Sequence, residues 1–114
     1  MTDLLSKKCV PCEGGVPPLT ADQIAEYLPQ VPGWEVQGDK KISREFTFKN
    51  FVKAVDFINA VADIAEEENH HPDLFLHDYK NVHAVLRTHA IGGLSENDFI
   101  VAARINRMAA AMFP

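Results

Sequence analysis

Apolar residues follow two different rhythms along this chain. Phe51, Ala54, Val55, Ile58, Val61, Ala62 and Ala65 recur at helical spacing for four turns, which lays them along one stripe of an α-helix. Asn50 offers a cap at its start. Asn69 suits the left-handed end of a helix, and Pro72 pushes His71 toward extended geometry, so the helix is expected to close near Asn69. Before and after this helix the period drops to two. Ile42, Phe46 and Phe48 share one parity while Lys41, Ser43, Glu45 and Thr47 hold the other, the alternation of a sheet with one wet face. Strands are predicted at about Trp34–Gln37 and Lys41–Phe48, joined at Gly38-Asp39. A second pair is predicted at Asp73–Tyr79 and Val82–His89, joined across Asp78 to Asn81, with Val82, Ala84, Leu86 and Thr88 facing one way and His83, Val85, Arg87 and His89 the other.

Helix start signals complete the order. Thr20 with Gln23 forms a capping box, and Leu19 can staple to Ile24, so a first helix runs to about Leu28, where Pro29 and then Val31-Pro32-Gly33 stop it. Gly92 and Gly93 break the fourth strand. Ser95 with Asp98 makes another capping box, flanked by the staple pair Leu94 and Phe99, and Val101, Ile105, Met108 and Met112 stripe a final helix. The order αββαββα reads as an α+β fold: one four-stranded antiparallel sheet with helices packed on one face. Residues 1 to 18 carry no periodicity and read as an irregular N-terminal strap on a single domain spanning 19 to 114.

Charge narrows the partners. Sixteen acidic and eleven basic residues give a net charge of -5, and the lysines and arginines are scattered, so a phosphate backbone finds no basic stripe to bind. No apolar run approaches the roughly 18 to 20 residues needed to span a bilayer, and no apolar stretch follows Lys7 and Lys8, so a cytoplasmic chain with no membrane partner is expected. Cys9 and Cys12 form a CxxC among prolines and glycines. A structural zinc site commonly takes a second such pair, and none is present; an incidental or locally structural role is expected.

All five histidines lie between positions 70 and 89. Glu66 sits four positions before His70, so carboxylate and imidazole can share the helix end. Proline fixes the exit of His70 and His71 toward the third strand, and His89 reaches the same rim if strands three and four pair as a hairpin. Neighbouring imidazoles hold donor and acceptor together near neutral pH, the division that general acid-base chemistry requires. No Gly-flanked serine elbow is present, so covalent catalysis is not expected. His77 and His83 read as solvated strand residues. Metal binding is the rival chemistry, because His71, His77, His83 and His89 are spaced evenly by six, yet six strand residues span roughly 20 Å, too far to share one ion.

Glu66, His70-His71-Pro72, Tyr79, His89 and Asp98, at those spacings, resemble the signature of the pterin-4a-carbinolamine dehydratases. The resemblance extends through LPQVPGW from Leu28, REFTFKNF from Arg44 and THAIGGLSENDFIVAARI from Thr88, and the CxxC strap is similar to the N-terminus of bacterial members. It implies the αββαββα fold, assembly into homodimers or homotetramers, and a hydro-lyase that needs no metal or organic cofactor. The implied substrate is 4a-hydroxytetrahydropterin, released by an aromatic amino acid hydroxylase and dehydrated to quinonoid dihydropterin. On this resemblance His70 and His89 form the acid-base pair, His71 and Tyr79 bind and orient the pterin, Glu66 tunes a histidine, and Asp98 orders the loop holding His89. Some members resemble a dimerisation partner for a transcription factor, which makes an interaction module the competing class; Met108, Met112 and Phe113 would supply its face.

Overall fold

The computed structural model describes residues 3–10 and 16–114. Helix α1 (Ala21–Tyr27) begins as its capping box dictates: the Thr20 hydroxyl accepts from the Gln23 N–H while Gln23 Oε1 accepts from the Thr20 N–H at 2.9 Å. Strands β1 (Glu35–Gln37) and β2 (Lys41–Thr47) form a hairpin, helix α2 (Phe51–Glu68) crosses back, and β3 (Asp73–His77) with β4 (Asn81–Leu86) forms a second hairpin before helix α3 (Glu96–Met112). Every neighbouring pair is antiparallel, in the order β1-β2-β4-β3, so β3 is an edge.

Parity decides which sheet face is covered. Ile42, Phe46, Val82, Ala84 and Leu86 point into the core, where Phe46 meets Phe57 of α2 with ring centroids 4.6 Å apart. Glu45, Thr47, Phe75 and His77 stay exposed on the opposite face. Ser43 departs from the expected wet parity and is buried, a small side chain in register between Glu35 and Val85. On α2 the buried positions Ala54, Phe57, Val61, Ile64, Ala65 and Glu68 keep the helical stripe to its last residue, although that residue is a carboxylate.

Two strand ends fall earlier than alternation suggests. β3 stops at His77 because Asp78 and Tyr79 both take positive φ, 48° and 54°, to make the turn into β4. β4 stops at Leu86, which corrects the placement of His89 at a strand terminus. The Thr88 N–H donates to the Gly93 carbonyl at 2.9 Å, pinching residues 88–93 into a small loop whose turn, His89–Ile91, ends on Gly92 at φ 67°. Periodicity continued past this pinch because Thr88 remains buried in strand parity.

The chain's first described segment packs against the body. Asp3 caps a turn at Leu4–Ser6, and Leu4 is 1% exposed within the core beside α3. Its N–H donates to Gln30 Oε1 at 3.3 Å, and Lys7 Nζ reaches both oxygens of Glu96 at 2.8 Å. Cys12 lies outside the described residues. At the other end, Phe113 packs against Phe48 and Phe57, and Met108 is half-buried against the core, so Met112 alone of that trio stands exposed.

Candidate active site

The end of α2 turns sharply at Asn69, whose φ of 52° is the left-handed conformation that its short amide side chain tolerates. The N–H groups of Asn69 and His70 both return to the Ala65 carbonyl. This turn sends consecutive imidazoles in different directions. His70 points inward, with Nε2 at 2.7 Å from Asp98 Oδ1; its side chain is 13% exposed and that of Asp98 is fully buried. His71 points outward, with Nε2 at 2.6 Å from Glu66 Oε2, both side chains open to solvent. The carboxylate four residues before His70 therefore pairs with His71, because the left-handed cap carries the His70 ring away from its own helix.

Asp98 serves two connections at once. Its Oδ2 accepts from the Thr88 hydroxyl at 2.8 Å and from the Ser95 N–H at 3.0 Å, which fixes the base of the loop that carries His89. A carboxylate only accepts, so the His70 nitrogen facing Oδ1 is an N–H donor, and in the neutral imidazole the other ring nitrogen, Nδ1, is the acceptor. The same assignment holds for the neutral ring of His71 against Glu66. Loop 88–93 is held further by Leu19, whose N–H donates to the Leu94 carbonyl at 2.8 Å.

His70, His71 and His89 line one cavity of about 620 Å³, with walls completed by Arg87, Cys9 and Val10. That volume lies within the range of roughly 300 to 1,000 Å³ typical of small-molecule sites. The hairpin pairing of β3 with β4 brings the three imidazoles together, because Asp73, just after Pro72, lies opposite Val85, two residues short of Arg87. Tyr79 does not join them: it occupies the far turn of that hairpin, 61% exposed, a strand length or roughly 20 Å from His71. His77 and His83 also lie off the cavity, on the open sheet face, where both approach Glu45. The His77 imidazole is raised above its ordinary value by its hydrogen bond to Asp78 and then by Glu45. Among the described residues no group of three histidine, cysteine or acidic side chains is placed to hold a metal ion.

Glu68 and Asn97 carried no functional signal in composition, yet both shape this site. Glu68 Oε1 accepts from the Cys9 N–H and Oε2 from Arg104 Nη1, each at 2.8 Å. Burial acts to raise its carboxyl, but the Cys9 N–H and the Arg104 guanidinium outweigh it and hold the group below the usual carboxylate range. Cys9 shows the opposite balance: burial first, then the charge of Glu68, pushes its thiol up to about 12. A thiol so placed stays protonated at neutral pH and is a poor nucleophile. One signal was available for Glu68, since it extends the buried stripe of α2 at a position where an apolar residue belongs.

Known proteins resemble this chain along most of its length. The family model described as Pterin 4 alpha carbinolamine dehydratase matches residues 17–108. A Rubrobacter xylanophilus protein bearing that family's name is 44% identical over 108 residues, covering 95% of this chain and 100% of that protein. Pterin-4-alpha-carbinolamine dehydratase 2, mitochondrial, of Arabidopsis thaliana is 46% identical over 112 residues, covering 95% of this chain and 60% of that protein. The crystal structure of a transcriptional coactivator/pterin dehydratase from Brucella melitensis superposes with a TM-score of 0.74 at 37% identity, covering 80% of this chain and 97% of that one.

Proposed function

Because this chain belongs to the pterin-4a-carbinolamine dehydratase family, we propose that it removes water from 4a-hydroxytetrahydropterin to give quinonoid dihydropterin, with His70 and His89 as the acid-base pair. The observation that carries this reading is the cavity ringed by His70, His71 and His89, in which the inward imidazole is backed by a fully buried carboxylate. Dehydration of a carbinolamine breaks the C4a–O bond, which needs a proton delivered to the departing hydroxyl, and removes a proton from N5 so that its electrons form the new C=N bond. One water leaves, and the two proton transfers balance.

The geometry supports a division of these tasks. His70 holds its Nε2–H against Asp98, which keeps Nδ1 available as a base and stabilises the imidazolium formed when the N5 proton arrives. His89, exposed on its own loop, then protonates the leaving hydroxyl. His71, held by Glu66 at the mouth, orients the ring. Tyr79 takes no part within one chain.

The supply of substrate by an aromatic amino acid hydroxylase, a cytoplasmic location and a homo-oligomeric state belong to the same proposal. Self-association is supported by the edge position of β3, which exposes Phe75 and Leu76, and by Phe51 and Val52 standing exposed at the start of α2. The deciding measurement follows the absorbance of freshly generated 4a-hydroxytetrahydropterin near neutral pH, with and without the protein. Faster decay is expected, and decay at the rate of buffer alone rejects the dehydratase.

A further inference from the structure

The strap is more than a tether. Residues 7–10 run across the gap between the C-terminal end of α2 and the N-terminal end of α3, the same two ends that the His70–Asp98 pair joins. Asn97 grips it with both amide atoms: Oδ1 accepts from the Val10 N–H at 3.1 Å, and Nδ2 donates to the Val10 carbonyl at 2.7 Å. Glu68 holds the Cys9 N–H, and Lys7 is paired with Glu96. All three anchors sit beside residues of the site: Glu68 is two positions before His70, while Glu96 and Asn97 immediately precede Asp98. The Asn97 residue is only 5% exposed, so a polar side chain has been buried where its hydrogen bonds are met by the strap.

Satisfying the Val10 backbone in this way leaves its side chain outward. Val10 is 68% exposed, and with Cys9 it lines the cavity shared by the three histidines. We propose that Cys9 and Val10 form the wall against which the flat pterin ring rests, and that Asn97 is a positioning residue that sets substrate affinity by fixing this wall. The proposal rests on the dehydratase reading for the identity of the ligand. It assigns to the strap a contact that neither the histidines nor Asp98 can make, since those residues belong to other elements around the cavity.

Two readouts separate this role from simple support of the fold. In a Cys12→Ser background the only remaining thiol is Cys9, and its alkylation by excess iodoacetamide at alkaline pH, slow because burial keeps the thiol protonated, reports access to the wall. A non-reacting reduced pterin is expected to slow that alkylation several-fold, and Asn97→Ala to speed it, since loss of the two amide bonds releases the strap. In steady-state dehydration, Asn97→Ala is expected to raise KM by roughly tenfold or more while kcat stays within about twofold, the pattern of lost binding rather than lost chemistry. Val10→Asp, at an exposed side chain that no core contact needs, is expected to raise KM likewise and serves if Asn97→Ala does not fold. Unchanged Cys9 alkylation with saturating pterin, or a wild-type KM in Val10→Asp, overturns the proposal. Dehydration by the unaltered protein is scored separately, so a failure of the activity itself is distinguishable from a failure of the wall.

Discussion

At the scale of single residues, the site is set by which nitrogen each imidazole commits to a carboxylate. His70 and His71 both direct Nε2 at an acid, but one acid is fully buried and the other open to water, so the two neighbours differ in chemistry although they are identical in type. One positioned acid or base contributes roughly 10² to 10⁴-fold in rate, so His70→Ala and His89→Ala should each lower kcat by about that factor or less. The combined variant should lose little more than the worse single one if the two protons move together, and wild-type rates in all three would reject the assignment. Asp98→Asn keeps the shape but replaces an acceptor by a group that donates toward His70. A loss of roughly 10- to 100-fold in kcat is expected, with the pH profile of kcat displaced, as for other groups that orient a reacting histidine. The same change costs stability, because the Thr88 hydroxyl and Ser95 N–H are left facing a poorer acceptor; about 1 to 3 kcal/mol, read from denaturant unfolding, is the expected range.

At the scale of elements, His89 is held by a loop rather than by a strand, and the loop has little slack. A side chain at Gly93 would place its Cβ 2.7 Å from Pro18 Cβ, and proline cannot swing aside. Gly93→Ala should therefore cost about 1 to 3 kcal/mol in unfolding and displace His89, lowering kcat more than an equally destabilising change in α1. A Gly93→Ala protein with the stability and kcat of the parent would show that the loop yields. Much of the element order was legible, for reasons visible at particular residues. Both capping boxes and the Asn50 and Asn69 caps are local chemistry, and the stripe of α2 needs only its own sequence. The end of β4 was not legible, because the Thr88–Gly93 pinch is a backbone event that leaves side-chain parity intact. Which histidine Glu66 meets was not legible for a related reason: helical spacing says which residues share a face, while the left-handed turn after the helix decides which ring stays there. The strap's irregular course was legible but its docking was not, since Leu4 lies in a segment without rhythm and its burial depends on a helix some ninety residues away.

At the scale of the whole molecule, stability should track the charge of one buried carboxyl. Glu68 is lowered in the folded protein by the Cys9 N–H and Arg104, so its contribution is fully present above the ordinary carboxylate value of about 4.3 and drains away as pH falls through the lowered folded value. Thermal midpoints of the wild type and Glu68→Gln should thus differ at pH 7 and converge in acid below about pH 4. A gap that stayed constant with pH would mean that shape, not charge, accounts for the stability lost in Glu68→Gln. Removing the side chain altogether, Glu68→Ala, leaves the Cys9 N–H unpaired and Arg104 with Glu67 alone; about 2 kcal/mol is a reasonable expectation for a pair that is only partly screened.

The burial of Leu4 beside α3 also orders events in time. The two hairpins and α2 are assembled from neighbours in the chain and can form while a ribosome is still at work, but the N-terminal segment finds Asn97 only once synthesis has passed a residue 87 positions beyond Val10. A newborn chain would then carry its sheet before it carries a finished binding cleft, and in refolding the shielding of the Cys9 thiol should be the slowest signal to appear.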